Sequence, residues 1–111
     1  MKIKTSDLTG AALDWAVAKA EVQEPVGSFL DGVVAHPDYN KFYPSTNWLH
    51  GGPIIEREGI RLHRGVTGQW WAGPESDPHR PVAGPTPLIA AMRCYVASRL
   101  GDTIDIPEEL Q

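Results

Sequence analysis

The residues that could do chemistry gather in the middle of the chain. His36, His50, His63 and His79 invite a metal reading, yet none stands one helical turn from another and no His-Glu-x-x-His spacing occurs. Any metal site would have to be assembled from separate loops, and no cofactor signature is present. Cys94 lies among apolar residues at helical spacing, where a thiol is a small buried hydrophobe rather than a nucleophile. Ser45 or Thr46 with His50 could form a nucleophile and base pair. The segment lacks the Gly-x-Ser-x-Gly elbow, however, and names no acid to orient the imidazole, so these hydroxyls read first as turn caps. Gly51-Gly52-Pro53 lacks the Lys-Ser/Thr pair of a phosphate loop, although the N–H groups of Gly51 and Gly52 could still form a small anion nest.

The strongest signal is compositional. Trp48, Trp70 and Trp71 come from neighbouring segments, with Arg57, Arg61, Arg64, His63, His79 and Arg80 in or beside them. Indole faces stack on planar rings, and guanidinium groups grip phosphate in a bidentate fork, a combination that suits a nucleotide-like ligand. Against this, Glu56, Glu58, Glu75 and Asp77 could pair with the arginines on an ordinary solvated surface. The expected binding set is Trp48 and Trp71 as stacking groups, Arg61 and Arg80 as anion partners, His50 and His63 as polar contacts, and the Gly51 and Gly52 backbone.

These residues need elements to hold them. Ser6 or Asp7 could cap a helix of good helix formers running to Glu21, with Leu8, Ala12 and Trp15 on one apolar face, Leu13, Val17 and Ala20 beside it, and Pro25 and Gly27 beyond its end. A second helix starts at Thr86-Pro87 and stops at Gly101, with Ile89, Met92, Val96 and Leu100 on one stripe and Ala90, Cys94 and Ala97 beside it. Between the helices the period changes to two. Residues 53–56, 60–64 and 69–72 read as an antiparallel meander, in which Ile60 and Leu62 face the helices and Arg61 and His63 face away. A proline-rich loop runs from Gly73 to Pro85, and Thr103 to Ile106 could add an edge strand before Pro107. The expected fold is therefore α+β, a small antiparallel sheet packed against two helices in a single domain over residues 1–111.

Composition agrees and excludes some classes. A chain of 111 residues buries one modest core, and 41% hydrophobic with 22% charged residues is a folding composition. A net charge of -4 gives no electrostatic reason to bind nucleic acid. A single cysteine excludes an internal disulfide framework and suits the reducing cytoplasm. Met1-Lys2-Ile3-Lys4 leads into polar residues without an apolar signal core, and no run approaches the roughly 20 apolar residues of a membrane span.

Several long segments carry a resemblance. Leu8 to Ala18 (Leu-Thr-Gly-Ala-Ala-Leu-Asp-Trp-Ala-Val-Ala), Tyr43 to Trp48 (Tyr-Pro-Ser-Thr-Asn-Trp), Gly51 to Glu58 (Gly-Gly-Pro-Ile-Ile-Glu-Arg-Glu) and Gly84 to Ser98, followed by Leu100-Gly101-Asp102, resemble the NinX-like family of small phage proteins. The likeness runs from Met1 to Leu110 and is weakest over residues 22–41 and 64–82. It implies a temperate-phage or prophage protein working in the cytoplasm of an enterobacterial host, and it supplies no catalytic residues.

That context favours a protein that binds a host component. The preferred expectation is non-enzymatic sequestration of a nucleotide-like host or defence signal, and the alternative is a module that modulates a host protein. A small hydrolase with His50 or His63 as base carries less weight, because no second catalytic group is identifiable. A sheet this small would also allow a homodimer to cover its edge.

Overall fold

Thr86 and Pro87 set the central element. Thr86 has extended backbone, its Oγ1 accepts from Ile89 N–H at 3.1 Å, and Pro87 occupies the first turn, where its missing N–H costs nothing. The helix they start, α3 (Pro87–Leu100), ends at Gly101 with φ of 96°, so both ends stand where the sequence places them. In the computed structural model, which describes residues 2–22, 42–74 and 81–110, α3 is buried almost all round. Leu88, Ala90, Ala91, Met92, Cys94, Tyr95 and Val96 are all enclosed, which explains why its sequence carries two apolar stripes rather than one.

Three layers meet there. One side of α3 takes a three-stranded antiparallel sheet in the order β2 (Arg61–Arg64), β3 (Trp70–Gly73), β4 (Val82–Gly84). The other sides take α1 (Gly10–Val22) and α2 (Trp48–Glu58). A separate two-stranded sheet pairs β1 (Lys2–Lys4) with β5 (Thr103–Asp105), with Ile3 opposite Ile104. The observed class is α+β, as expected, with three helices among the described residues instead of two. The helix containing Met92 lies on the sheet, while the helix containing Trp15 packs behind it.

The principal correction concerns residues 53–56, expected as a strand and found inside α2. Gly-Gly-Pro and two isoleucines read as a turn into a strand, but the helix is determined at its ends. Asn47 caps the start, its Oδ1 accepting from Leu49 N–H at 2.9 Å. Gly59, at φ 65°, donates its N–H to the Glu56 carbonyl, and Ile60 N–H reaches the Ile55 carbonyl at 3.1 Å, a Schellman closure that demands a left-handed residue. Gly51 and Ile54 then fall on one face and are buried. Pro53 removes one ladder bond without ending the helix, because packing against α3 outweighs local propensity. Gly59→Ala forces a Cβ into that left-handed geometry and should lower stability by about 1 kcal/mol, read as the urea unfolding midpoint.

The sheet therefore begins one element later than expected. Its strands still alternate as the sequence predicts: Ile60 is buried, Leu62 is half-buried against the core, and Arg61 and His63 face solvent. Val66, Thr67 and Gly68 make the turn, closed by Gly65 N–H to the Gln69 carbonyl at 2.6 Å. Two further details differ. Ser6 and Asp7 belong to a short 3-10 turn (Thr5–Asp7), and the α1 ladder starts at the Thr9 carbonyl, which accepts from Leu13 N–H at 3.2 Å. The buried face of α1 runs through Leu13, Ala16, Val17 and Ala20, leaving Trp15 half-buried at its margin with the Lys19 ammonium 5.1 Å from the ring centroid.

Candidate functional site

The register of β2 and β3 decides which tryptophan is available. Leu62 lies opposite Ala72, and His63 lies opposite Trp71, so alternation puts Trp70 and Ala72 on the α3 side and Trp71 on the outer face. Trp70 packs against the core accordingly. Arg61, two residues from His63 on the same strand, shares that outer face with Trp71. A directly opposed pair in an antiparallel ladder brings Cβ atoms within about 5 Å, so the imidazole and indole are neighbours. The Trp71 indole nitrogen also lies where Gly65 has no side chain: a Cβ there would come within 2.9 Å of it. Arg61 and His63, both exposed, thus form one patch with the half-buried Trp71, basic and aromatic.

The other expected site residues do not join it. Trp48, His50, Gly51 and Gly52 occupy the first half of α2, on the helix side of the sheet. A rise of 1.5 Å per residue puts Trp48 about 15 Å along the axis from the end of α2 that leads into β2. The expected binding set is therefore not brought together: Trp48, His50, Gly51 and Gly52 stand apart from Arg61, His63 and Trp71. The anion nest is corrected too, because helix formation commits the Gly51 N–H to the Asn47 carbonyl at 2.9 Å. Gly51 serves contact instead: a Cβ would meet the Pro44 carbonyl oxygen at 2.6 Å and Leu88 Cδ2 at 2.7 Å. Gly52 is half-buried on the same helix. Arg80, with His36 and His79, lies outside the described residues.

His50 is engaged locally. Its Nδ1 accepts from Tyr43 N–H at 3.1 Å, and its ring lies 5.4 Å from that of Phe42 and 5.1 Å from that of Tyr43. A carboxylate that the sequence did not offer, Asp14 of α1, enters this region. It accepts from Ser45 N–H at 2.8 Å, and burial raises its pKa against the opposing pull of that bond, the Ser45 hydroxyl and His50. The acid thus stands on the Ser45 backbone, and the His50 nitrogen that a triad carboxylate would orient is taken by Tyr43. Ser45 itself is only 2% exposed.

Beside it, Trp48 is 54% exposed, Leu49 78% and Tyr43 42%. A cleft of about 250 Å³ separates Ser45, Thr46 and Trp48 from Thr86 to Ile89 at the start of α3.

One polar cluster is structural and escaped the sequence reading. Glu21, 4% exposed, accepts from Arg57 Nη2 at 2.5 Å, Arg57 Nη1 at 3.1 Å and Tyr95 Oη at 2.9 Å, tying α1, α2 and α3 together. Arg57 and Arg99 also hydrogen-bond Glu58, at 2.8 and 2.9 Å. Burial pushes the Glu58 carboxyl up, but these guanidinium bonds outweigh it and hold the pKa below the ordinary carboxylate value. The bonds to Glu21 raise Arg57 above its usual value. Arg57 is thereby a clamp between helices, not part of the outer patch. Arg93 does similar work, donating from Nε to the Leu8 carbonyl at 2.8 Å and from Nη1 to the Ala83 carbonyl at 2.9 Å.

The Cys94 thiol is enclosed, and burial pushes its pKa up to about 11, so thiolate chemistry is suppressed at neutral pH. Among the described residues no three His, Cys, Asp or Glu side chains converge on a common metal position, and no helix is long and apolar enough to cross a membrane.

The family model described as Bacteriophage P22, NinX matches residues 4–99, which include all three helices but the last residue of α3 and every strand of the larger sheet. The chain belongs to the NinX family. No curated protein matches it. Membership extends over both the outer patch and the Trp48 cleft of this NinX protein, so each is part of the family domain rather than an appendage to it.

Proposed function

We propose that this NinX-family protein acts in the bacterial host by binding rather than by catalysis, taking a planar, anionic, nucleotide-like small molecule on the outer face of β2 and β3. The observation that carries the reading is the His63–Trp71 cross-strand pair with Arg61 beside it. An indole offers a stacking surface, a guanidinium offers a fork for phosphate, and an imidazole offers a further polar contact. None of these groups needs to exchange a proton or form a bond with the ligand, so sequestration is the simplest use of the face. Phage membership supports a host or defence-related nucleotide as the ligand, since a phage profits by withdrawing such a molecule.

A second reading, a surface for a host protein, is favoured by the exposed Tyr43, Trp48 and Leu49. Exposed aromatic and leucine side chains grouped in one short segment are typical of contact surfaces. Incubation with a panel of nucleoside phosphates and cyclic nucleotides, followed by denaturation and mass spectrometry of the released ligand, separates the outcomes. Intact ligand recovered in stoichiometric amount is expected. Converted product would replace the proposal with catalysis, and absence of ligand beside a co-purifying host protein would replace it with the protein-surface reading.

A further inference from the structure

One edge of the three-stranded sheet is closed and the other is open. Gly65 N–H bonds the Gln69 carbonyl, so these two residues make a hydrogen-bonded pair of the β2–β3 ladder. Such pairs alternate along an antiparallel ladder, and with His63 opposite Trp71 and Arg61 opposite Gly73, the N–H and C=O groups of Arg61 and His63 point into it. Those of Leu62 and Arg64 point the other way, off the sheet. Two bonds outside the ladder have the same phase. Ile60 N–H, in step with Leu62 and Arg64, goes to the Ile55 carbonyl at 3.1 Å, and on the far edge the outward Ala83 carbonyl takes Arg93 Nη1 at 2.9 Å. The β4 edge is thus closed by a guanidinium. On the β2 edge, the outward groups of Leu62 and Arg64 have no partner among the described residues.

We propose that β2 takes an extended acidic peptide of another protein as a fourth antiparallel strand, held by the outward backbone groups of Leu62 and Arg64. Charge selects this occupant. Arg61, His63 and Arg64 are all exposed on one short strand, and none takes part in the ion pairs among the described residues, although the chain as a whole carries a net charge of -4. Glu58, close by in sequence, is already held by Arg57 and Arg99 at 2.8 and 2.9 Å. A second copy fits badly, because β2 against its own counterpart sets these basic side chains against one another, and like charges directly opposed destabilise a strand pair. An acidic strand turns that repulsion into attraction. Alternation then writes the partner's pattern: carboxylates opposite Arg61 and His63 on the outer face, and an apolar side chain opposite Leu62, which is half-buried against the core. The basic side chains also turn away apolar strands, so the open edge is not a general aggregation site. Backbone groups carry this inference, so it does not rest on the nucleotide reading, although a peptide here would share Arg61 with that ligand.

The test uses the full chain labelled with nitrogen-15 and two end-capped peptides, Glu-Val-Glu-Val-Glu and Lys-Val-Lys-Val-Lys. In the free chain the Leu62 and Arg64 amides should exchange with solvent much faster than those of Arg61 and His63. The acidic peptide should shift the Leu62 and Arg64 amides saturably and slow their exchange, and the basic peptide should do neither. Arg64→Ala, which removes only the charge, should weaken binding about two- to fivefold, the scale of an exposed ion pair. Arg64→Pro also removes an outward N–H that no ladder bond uses, and it should abolish binding while the Arg61 and His63 amides stay protected. An acidic peptide N-methylated at both valines should fail to bind the parent chain, and it decides the question if Arg64→Pro folds poorly. Protection of the Leu62 and Arg64 amides in the free chain would show the edge already covered and overturn the proposal. So would the absence of a saturable shift, equal binding of the acidic and basic peptides, or undiminished binding of the N-methylated one.

Discussion

Gly84→Ala should cost about 3 kcal/mol, the upper end of what overpacking a tight contact does, and move the urea midpoint accordingly. Gly84 ends β4 where that strand meets α3. A Cβ there would come within 2.6 Å of Ala90 N and 2.8 Å of Ala90 Cα, and neither atom belongs to a side chain that could swing away. Relief would need the strand and the first turn of α3 to move apart, loosening the seam that the Arg93 bond to the Ala83 carbonyl also holds. Gly52→Ala is the matched control, since no atom lies within 4 Å of its added Cβ. It should leave stability unchanged or slightly raised, because alanine is the better helix former. Equal costs for the two variants would show that the strand and helix are not in close contact.

Arg57→Ala should cost about 3 kcal/mol for a different reason. The guanidinium is 45% exposed but its partner Glu21 is 4% exposed, so truncation strands a buried carboxylate with only the Tyr95 hydroxyl bonded to it. Removing one partner of a buried pair costs about 3 to 5 kcal/mol, and the exposure of Arg57 places this case at the low end. Arg57→Lys should recover part of the loss, since an ammonium restores the charge but not the two-point grip on Glu21. Arg99→Ala, which breaks a more exposed bridge to Glu58, should cost under about 1 kcal/mol. A denaturant series of the three variants checks the ranking, and equal losses for Arg57→Ala and Arg99→Ala would remove the clamp from the account.

The sequence was legible where a residue's own chemistry sets its geometry. Thr86, Pro87 and Gly101 mark α3 because a cap, a fixed φ and a left-handed end act within one turn. Alternation from Ile60 to His63 is equally local, and it separates the core from the outer face without reference to the rest of the chain. The helix at residues 48–58 was hidden by Gly51, Gly52 and Pro53, each a poor helix former. Asn47 before it and Gly59 after it, with Gly51, Ile54, Ile55 and Glu58 at helical spacing, were the signals that could have revealed it. The expected site failed as a unit for the same reason, since a helix in place of a strand carried Trp48 and His50 away from Arg61 and His63. The Glu21 clamp joins residues 36 and 74 positions apart, and no local pattern announces such a contact.

The direct test of the functional account is the affinity of Arg61→Ala for whichever nucleotide the panel returns, measured by calorimetry beside a lysine variant away from the patch. Lys19 is unsuitable because its ammonium lies over Trp15, so Lys4→Ala, at an exposed position of β1, is the control. The account predicts that Arg61→Ala weakens binding by about 1.5 to 3 kcal/mol, the scale of a charged hydrogen bond, at unchanged thermal stability, while Lys4→Ala binds as the parent does. Equal affinity of Arg61→Ala and Lys4→Ala for a confirmed ligand would contradict the placement of the site on the outer sheet face.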